Sequence, residues 1–147
     1  MKLQKNTRLA LYSVLEFARD PTRQIAAAEI ATKYGVSPHH LAKVLSELAR
    51  SGLVESVRGV GGGYRFAGNA RRLTLMDVIR NFEELSASDG ERREPGETTA
   101  VGQALAAVLS EIDEMATATF SSITLATMLR LVERQRLEPA PPARRLR

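Results

Sequence analysis

The chain contains no cysteine. Disulfides, thiolate-held metals and cysteine nucleophiles are excluded before anything else is read. Histidine is almost as scarce: there are two, His39 and His40, side by side. Neighbouring residues on a helix point about 100° apart, so this pair cannot hold one ion together, and no metal or other cofactor site is expected. Long apolar runs are missing too, since nothing approaches the ~18 residues of a membrane span. The segment from Met1 to Asp20 has early lysines but is interrupted by Arg8, Glu16, Arg19 and Asp20. No small-residue cleavage site follows it, so it does not read as a signal peptide. No paired carboxylates, Ser-His-Asp arrangement or cofactor motif marks an enzyme. The expectation is a soluble, cytoplasmic, non-enzymatic protein. Its 147 residues make one domain, or a small domain with an appended element.

The net charge of +4 is modest, but it is unevenly spread. Residues 1–72 carry 12 Lys+Arg against 5 Asp+Glu, residues 73–135 carry 5 against 11, and residues 136–147 carry 4 against 1. The N-terminal half suits a polyanion and the helical part after it does not. Ordinary surface charge is the plainer alternative.

That basic half contains ATKYGVSPHHLAKVLSELARSGLVESVRGVGGGYRF, from Ala31 to Phe66. Ala31 and Gly35 stand four apart, and Leu41 and Val44 follow ten and thirteen residues after Ala31. This is helix-turn-helix spacing: a small residue lets the helices approach, a glycine takes the turn, and two apolar residues anchor the second helix. Ile25 to Tyr34 is expected as the first of these helices. Ser37 caps the second with Pro38 at its first position, Leu41, Val44, Leu45 and Leu48 form its buried stripe, and Gly52 ends it. Leu53–Arg58 and Tyr64–Ala67 read as two strands joined by Gly59 to Gly63. The unit is a winged helix, and winged helices most often bind DNA.

The residues expected to meet double-stranded DNA follow from that geometry. Ser37, Pro38, His39, His40, Lys43 and Arg50 lie on the reading helix, whose N-terminus enters the major groove in such motifs. Lys43 suits guanine or a phosphate, the histidines suit bases or phosphates, and Ser37 with the first free N–H groups suits a phosphate. Ser37 also reads as a plain cap, and Lys43 and Arg50 as a solvated face. In the wing, Arg58 precedes Gly59, Gly61 and Gly62, which let the backbone lie close to a sugar-phosphate surface, with Tyr64 and Arg65 behind them. The glycines join two strands and do not open a helix, so they do not form a dinucleotide cradle.

A first helix is expected from Asn6 or Thr7 to before Pro21. After the wing, Thr74 and Asp77 form a capping box that opens a short helix. Residues 86–97 read as a flexible acidic loop between residues 1–85, the winged helix-turn-helix domain, and residues 98–136, the dimerisation helices. In the helix from Thr98 to Phe120, Val101, Leu105, Val108, Ile112 and Met115 are spaced four, three, four, three. That is a coiled-coil-like seam, which a symmetric homodimer would cover; packing onto the winged helix of the same chain is the alternative. A last helix runs through Leu125, Met128, Leu129 and Val132, and residues 137–147 read as a disordered basic tail. The fold class is mainly α with a small β-hairpin: a winged helix-turn-helix domain plus a long dimerisation helix.

These residues resemble the IscR/NsrR family of bacterial winged-helix regulators. The likeness runs through Met1-Lys2-Leu3, Gly35-Val36-Ser37, Leu41, Ser51-Gly52-Leu53-Val54, Ser56 to Arg65, and Leu73 to Ile79. The long helix and Ile123-Thr124-Leu125 fit more loosely. The resemblance implies a homodimer that binds a near-palindromic operator through the helix from Ser37, and transcriptional regulation, in most members repression. Two departures qualify it. Many relatives hold an iron–sulfur cluster through three cysteines before the long helix, whereas Ser86 to Thr99 has neither cysteine nor histidine. Where nitric-oxide-sensing members use an N-terminal carboxylate, this chain has Arg8. Cluster sensing is therefore not expected, since such clusters rely on thiolates. The iron–sulfur cluster regulator has Glu-Gln where this chain has Ala42-Lys43, so a different operator is implied. A protein-interaction module without DNA, and a regulator answering to an unidentified small molecule, stand as alternatives.

Overall fold

The computed structural model describes residues 3–59, 61–83 and 94–138. The first helix, α1 (Lys5–Arg19), buries Leu9, Ala10, Val14, Phe17 and Ala18 along one face. Gln4 stands at its N-terminus without capping it. The cap comes from far along the chain: Glu83 Oε1 accepts from the Gln4 N–H at 2.7 Å and from the Thr7 hydroxyl at 3.0 Å. A carboxylate at this end also complements the positive pole of the helix.

Helix α2 spans Ala27–Tyr34. It begins later than the apolar pattern suggests, because Ile25 is extended and pairs with the wing. The Ile25 N–H donates to Tyr64 O, and the Tyr64 N–H to Ile25 O, each at 2.9 Å. Those backbone groups cannot also enter a helix. Gly35 then ends α2 in the left-handed region, at φ 63°, a conformation that costs glycine little. Two residues on, Ser37 Oγ accepts from the His40 N–H at 3.1 Å, and Pro38 opens α3 (Pro38–Arg50). Leu41, Val44, Leu45 and Leu48 of α3 are buried against α1 and α2.

Two antiparallel strands follow, β1 (Val54–Val57) and β2 (Gly63–Phe66), each four residues long; β1 is shorter than the sequence pattern suggests, and β2 begins and ends one residue earlier. Their register sets Val54 against Phe66, Glu55 against Arg65, Ser56 against Tyr64 and Val57 against Gly63. Gly63 is required by space: a Cβ there would strike the backbone of Ile25. The wing is thereby stitched to the residue that precedes α2.

Helix α4 (Leu75–Ile79) opens with the expected capping box. Thr74 Oγ1 accepts from the Asp77 N–H at 3.2 Å, and Asp77 Oδ2 accepts from the Thr74 N–H at 2.9 Å. After α5 (Ala100–Ser122) the chain returns, and Thr124 pairs with Thr74 in an isolated bridge. The Leu75 N–H donates to Ile123 O at 2.9 Å and the Leu125 N–H to Leu73 O at 2.8 Å. This stitch seats α6 (Leu125–Leu137) with Leu125 buried and Met128 and Leu129 half-buried on the core. Arg19 of α1 faces Glu133 of α6 at 3.9 Å.

Helix α5 is different. Its 23 residues include none that is buried, and its seam points away from the winged helix. Val101 is 79% exposed and Ile112 50%, with Leu105, Val108, Leu109 and Met115 between or near those values. The packing of this seam onto the winged helix of the same chain is ruled out by that exposure. Most of the expected acidic loop (residues 86–93 of 86–97) and most of the expected basic tail (residues 139–147) lie outside the described residues.

Candidate nucleic-acid interface

The buried stripe of α3 fixes which of its side chains face outward. Ser37, Pro38, His39, Lys43 and Arg50 are exposed. His39, Lys43 and Arg50 form one row at helical spacing, and Ser46 completes it. Ser46 and the exposed Ala42 were legible from the same period, since both fall between members of the buried stripe. Lys43 has no carboxylate within ion-pair distance among the described residues, whereas Arg50 Nη1 lies 3.2 Å from Glu47 Oε2.

His40 departs from the outward face expected for it. It is only half-exposed, its backbone N–H is taken up by the Ser37 cap, and its Nε2 is enclosed without a hydrogen-bond partner among the described residues. The helical period explains this: His40 lies beside Leu41 and four residues before Val44, at the border of the buried stripe.

The wing residues separate in a similar way. Arg58 is exposed and has no carboxylate partner among the described residues. Beside it Gly59 and Gly61 take φ of 114° and 76°, which side-chain-bearing residues rarely adopt. Gly62 is needed for a different reason, since a Cβ there would come 2.7 Å from Val57 O. Val60 lies outside the described residues. Arg65 is held by Glu55 across the hairpin, with Nε 2.8 Å from Oε1. Tyr64 is half-buried, and its ring packs at 54° on Phe17 with centroids 6.3 Å apart. Its side chain therefore joins the wing to α1.

A polar cluster on α1 fixes the end of α2. Glu16 Oε1 accepts from Lys33 Nζ and from the Tyr34 hydroxyl, each at 2.6 Å. Burial pushes the Glu16 carboxyl up, but these two hydrogen bonds and the charges of Lys33 and Arg19 outweigh it, and its pKa is lowered. The Tyr34 phenol is pushed up, first by burial and then by its bond to the Glu16 carboxylate. Tyr34 thus stays a neutral donor, one residue before the Gly35 turn.

A family model, Rrf2, described as iron-dependent transcriptional regulator, matches residues 3–131. The chain belongs to the Rrf2 family. Among similar proteins is one named as the HTH-type transcriptional regulator BadM of Rhodopseudomonas palustris, 46% identical over 149 residues, covering 96% of this chain and 90% of BadM. CymR of B. subtilis, named as its global cysteine regulator, superposes with a TM-score of 0.71 at 26% identity, over 89% of this chain and 98% of CymR. IscR of T. potens shares the fold, with a TM-score of 0.69 at 24% identity over 95% and 94% of the two chains. The family and these relatives are DNA-binding transcriptional regulators, not enzymes, and the fold is the winged helix expected from the sequence.

The iron in the family's description does not fit the donors of this chain. No cysteine is present to supply a thiolate. Among the described residues, no three His, Asp or Glu side chains gather where they could hold a metal ion. Nor, among those residues, is any helix long and apolar enough to cross a membrane.

Proposed function

We propose that this Rrf2-family regulator acts as a homodimer that binds a near-palindromic operator and represses transcription, without an iron–sulfur cluster. The observation that carries the reading is the outward row of α3 with Lys43, together with Arg58 between the strand end and the glycines of the wing, both cations exposed and without a carboxylate partner among the described residues. The row offers a cation to a major groove, and the wing offers one to a minor groove or a phosphate. Paired Arg50 and Arg65 are assigned to the rim. The half-buried ring of Tyr64 and the cap at Ser37 hold the wing and the reading helix in position.

The dimer rests on α5. Val101, Leu105, Val108, Ile112 and Met115 keep the spacing of a coiled-coil seam and all stay at least half-exposed. An apolar stripe of this length is uncommon on a monomer surface, and a two-fold axis would cover it with its own copy. Repression is supported by the family resemblance.

The test is selection of purified protein on random duplex DNA, with the salt dependence of the winning site. The account expects a palindromic consensus with half-sites about one helical turn apart, and a steep fall of affinity with salt. No enrichment, or affinity that ignores salt, would instead assign the winged helix to a protein partner.

A further inference from the structure

A pocket of about 240 Å³ opens between the first turns of α1 and the turn that joins α2 to α3. Its walls include Lys5, Arg8, Leu9 and Tyr12 from α1, Tyr34 from the end of α2, and Val36 from the turn itself. The rings of Tyr12 and Tyr34 lie nearly parallel, with centroids 5.0 Å apart and planes 9° apart. Tyr34 is anchored through its hydroxyl to Glu16, while Tyr12 remains 42% exposed. Lys5 and Arg8 are exposed on successive turns of α1, and neither pairs with a carboxylate among the described residues. Among the described residues no acidic side chain lines the pocket. A concave apolar wall with a few convergent polar groups is the usual form of a small-molecule site, and two cations set the sign of its ligand.

We propose that this pocket is an effector site for a small organic anion, a carboxylate carried on a short apolar or single-ring body. The carboxylate pairs with Arg8 and Lys5, and the body lies against Leu9 and the open side of Tyr12. The volume is below the roughly 300 Å³ at which sites for drug-sized ligands begin, which favours a small occupant. Val36 immediately precedes the Ser37 cap, so an occupant touches the turn that seats the reading helix. The proposal rests on the reading of the chain as an operator-binding regulator, and it names what that regulator would sense.

The experiment is calorimetric titration of the full chain, without DNA, with phenylacetate, hexanoate and the neutral 2-phenylethanol. At least one carboxylate is expected to bind, with the alcohol weaker by about tenfold or more, the scale of a charge-assisted hydrogen bond. Arg8→Gln is expected to weaken the carboxylate by about tenfold while leaving the thermal melt in place. Adding the bound carboxylate then shifts operator affinity of the parent chain and leaves Arg8→Gln unmoved. The proposal is overturned if neither carboxylate binds, if the alcohol binds equally well, or if Arg8→Gln binds like the parent. It is also overturned if Arg8→Gln without ligand flattens the salt dependence of operator binding, which would assign this cation to a DNA phosphate. Because ligand binding is read without DNA, a failed operator selection leaves this result standing. A failed titration likewise leaves the operator reading untouched.

Discussion

Helices α3 and α5 both carry apolar residues at three- and four-residue spacing, yet they treat them in opposite ways. Leu41, Val44, Leu45 and Leu48 of α3 are all within 2% of complete burial. The seam of α5, from Val101 to Met115, is half-exposed or more throughout. The reason lies in what flanks each helix. A tight turn at Gly35 and the hairpin after Gly52 fold α2 and the wing back around α3. Helix α5 touches the rest of the fold chiefly through α4 and the stitch that follows it at Thr124. The same hydrophobic period therefore means a finished core in one place and an unfinished one in the other. Only the first is satisfied within a single chain.

The largest expected effect comes from breaking the finished side. Leu45→Ala should cost about 2–5 kcal/mol of folding stability, measured by urea denaturation. Leu105→Ala, at concentrations where the chain is monomeric, should stay within about 0.5 kcal/mol of the parent. Equal losses at the two positions would mean that α5 is packed after all. Next comes the unfinished side: Leu105→Glu with Ile112→Glu should leave the circular dichroism spectrum in place. It should also weaken self-association by about 2 kcal/mol or more in sedimentation equilibrium, because charges would enter a desolvated seam.

Smaller effects belong to the outward face of the finished half. Arg58→Ala and Lys43→Ala should each cost about 1–3 kcal/mol of operator binding if they read bases, with unchanged melting curves because both side chains are exposed. Operator binding unaffected in both variants would refute the site. The smallest effect concerns Glu16, whose lowered pKa stabilises the fold fully above the ordinary carboxylate value. That contribution fades as pH falls through the folded-state pKa. Melting temperatures of the parent should therefore drop more steeply on acidification than those of Glu16→Gln, and parallel curves would remove the assignment.

What could be read from the sequence was local. Ser37-Pro38, Gly35 and the Thr74–Asp77 box announce helix ends because a cap acts within four residues, and all three behave as expected. The buried stripe of α3 follows from its period, and so does the outward row. What escaped was set by distant partners. Ile25 has the composition of a helix start, but its backbone is claimed by Tyr64, 39 positions on. The cap of α1 is Glu83, separated from Gln4 by 79 residues. His40 sits at the border of the apolar stripe, where one helical position decides between a groove and the protein interior. The ring of Tyr64 packs on Phe17, a partner 47 positions away that no local pattern announces. The effector pocket was illegible for the same reason, since its walls join α1 to a turn more than twenty residues away.

The central claim is that α5 lacks its partner within one chain, and that a second copy supplies it so that two winged helices meet one operator. It is tested most directly by the molar mass, from light scattering, of the parent chain bound to its selected duplex. The account predicts two chains per duplex, and a loss of both that stoichiometry and tight binding in the Leu105→Glu, Ile112→Glu variant. One chain per duplex, with affinity indifferent to that double substitution, would contradict it.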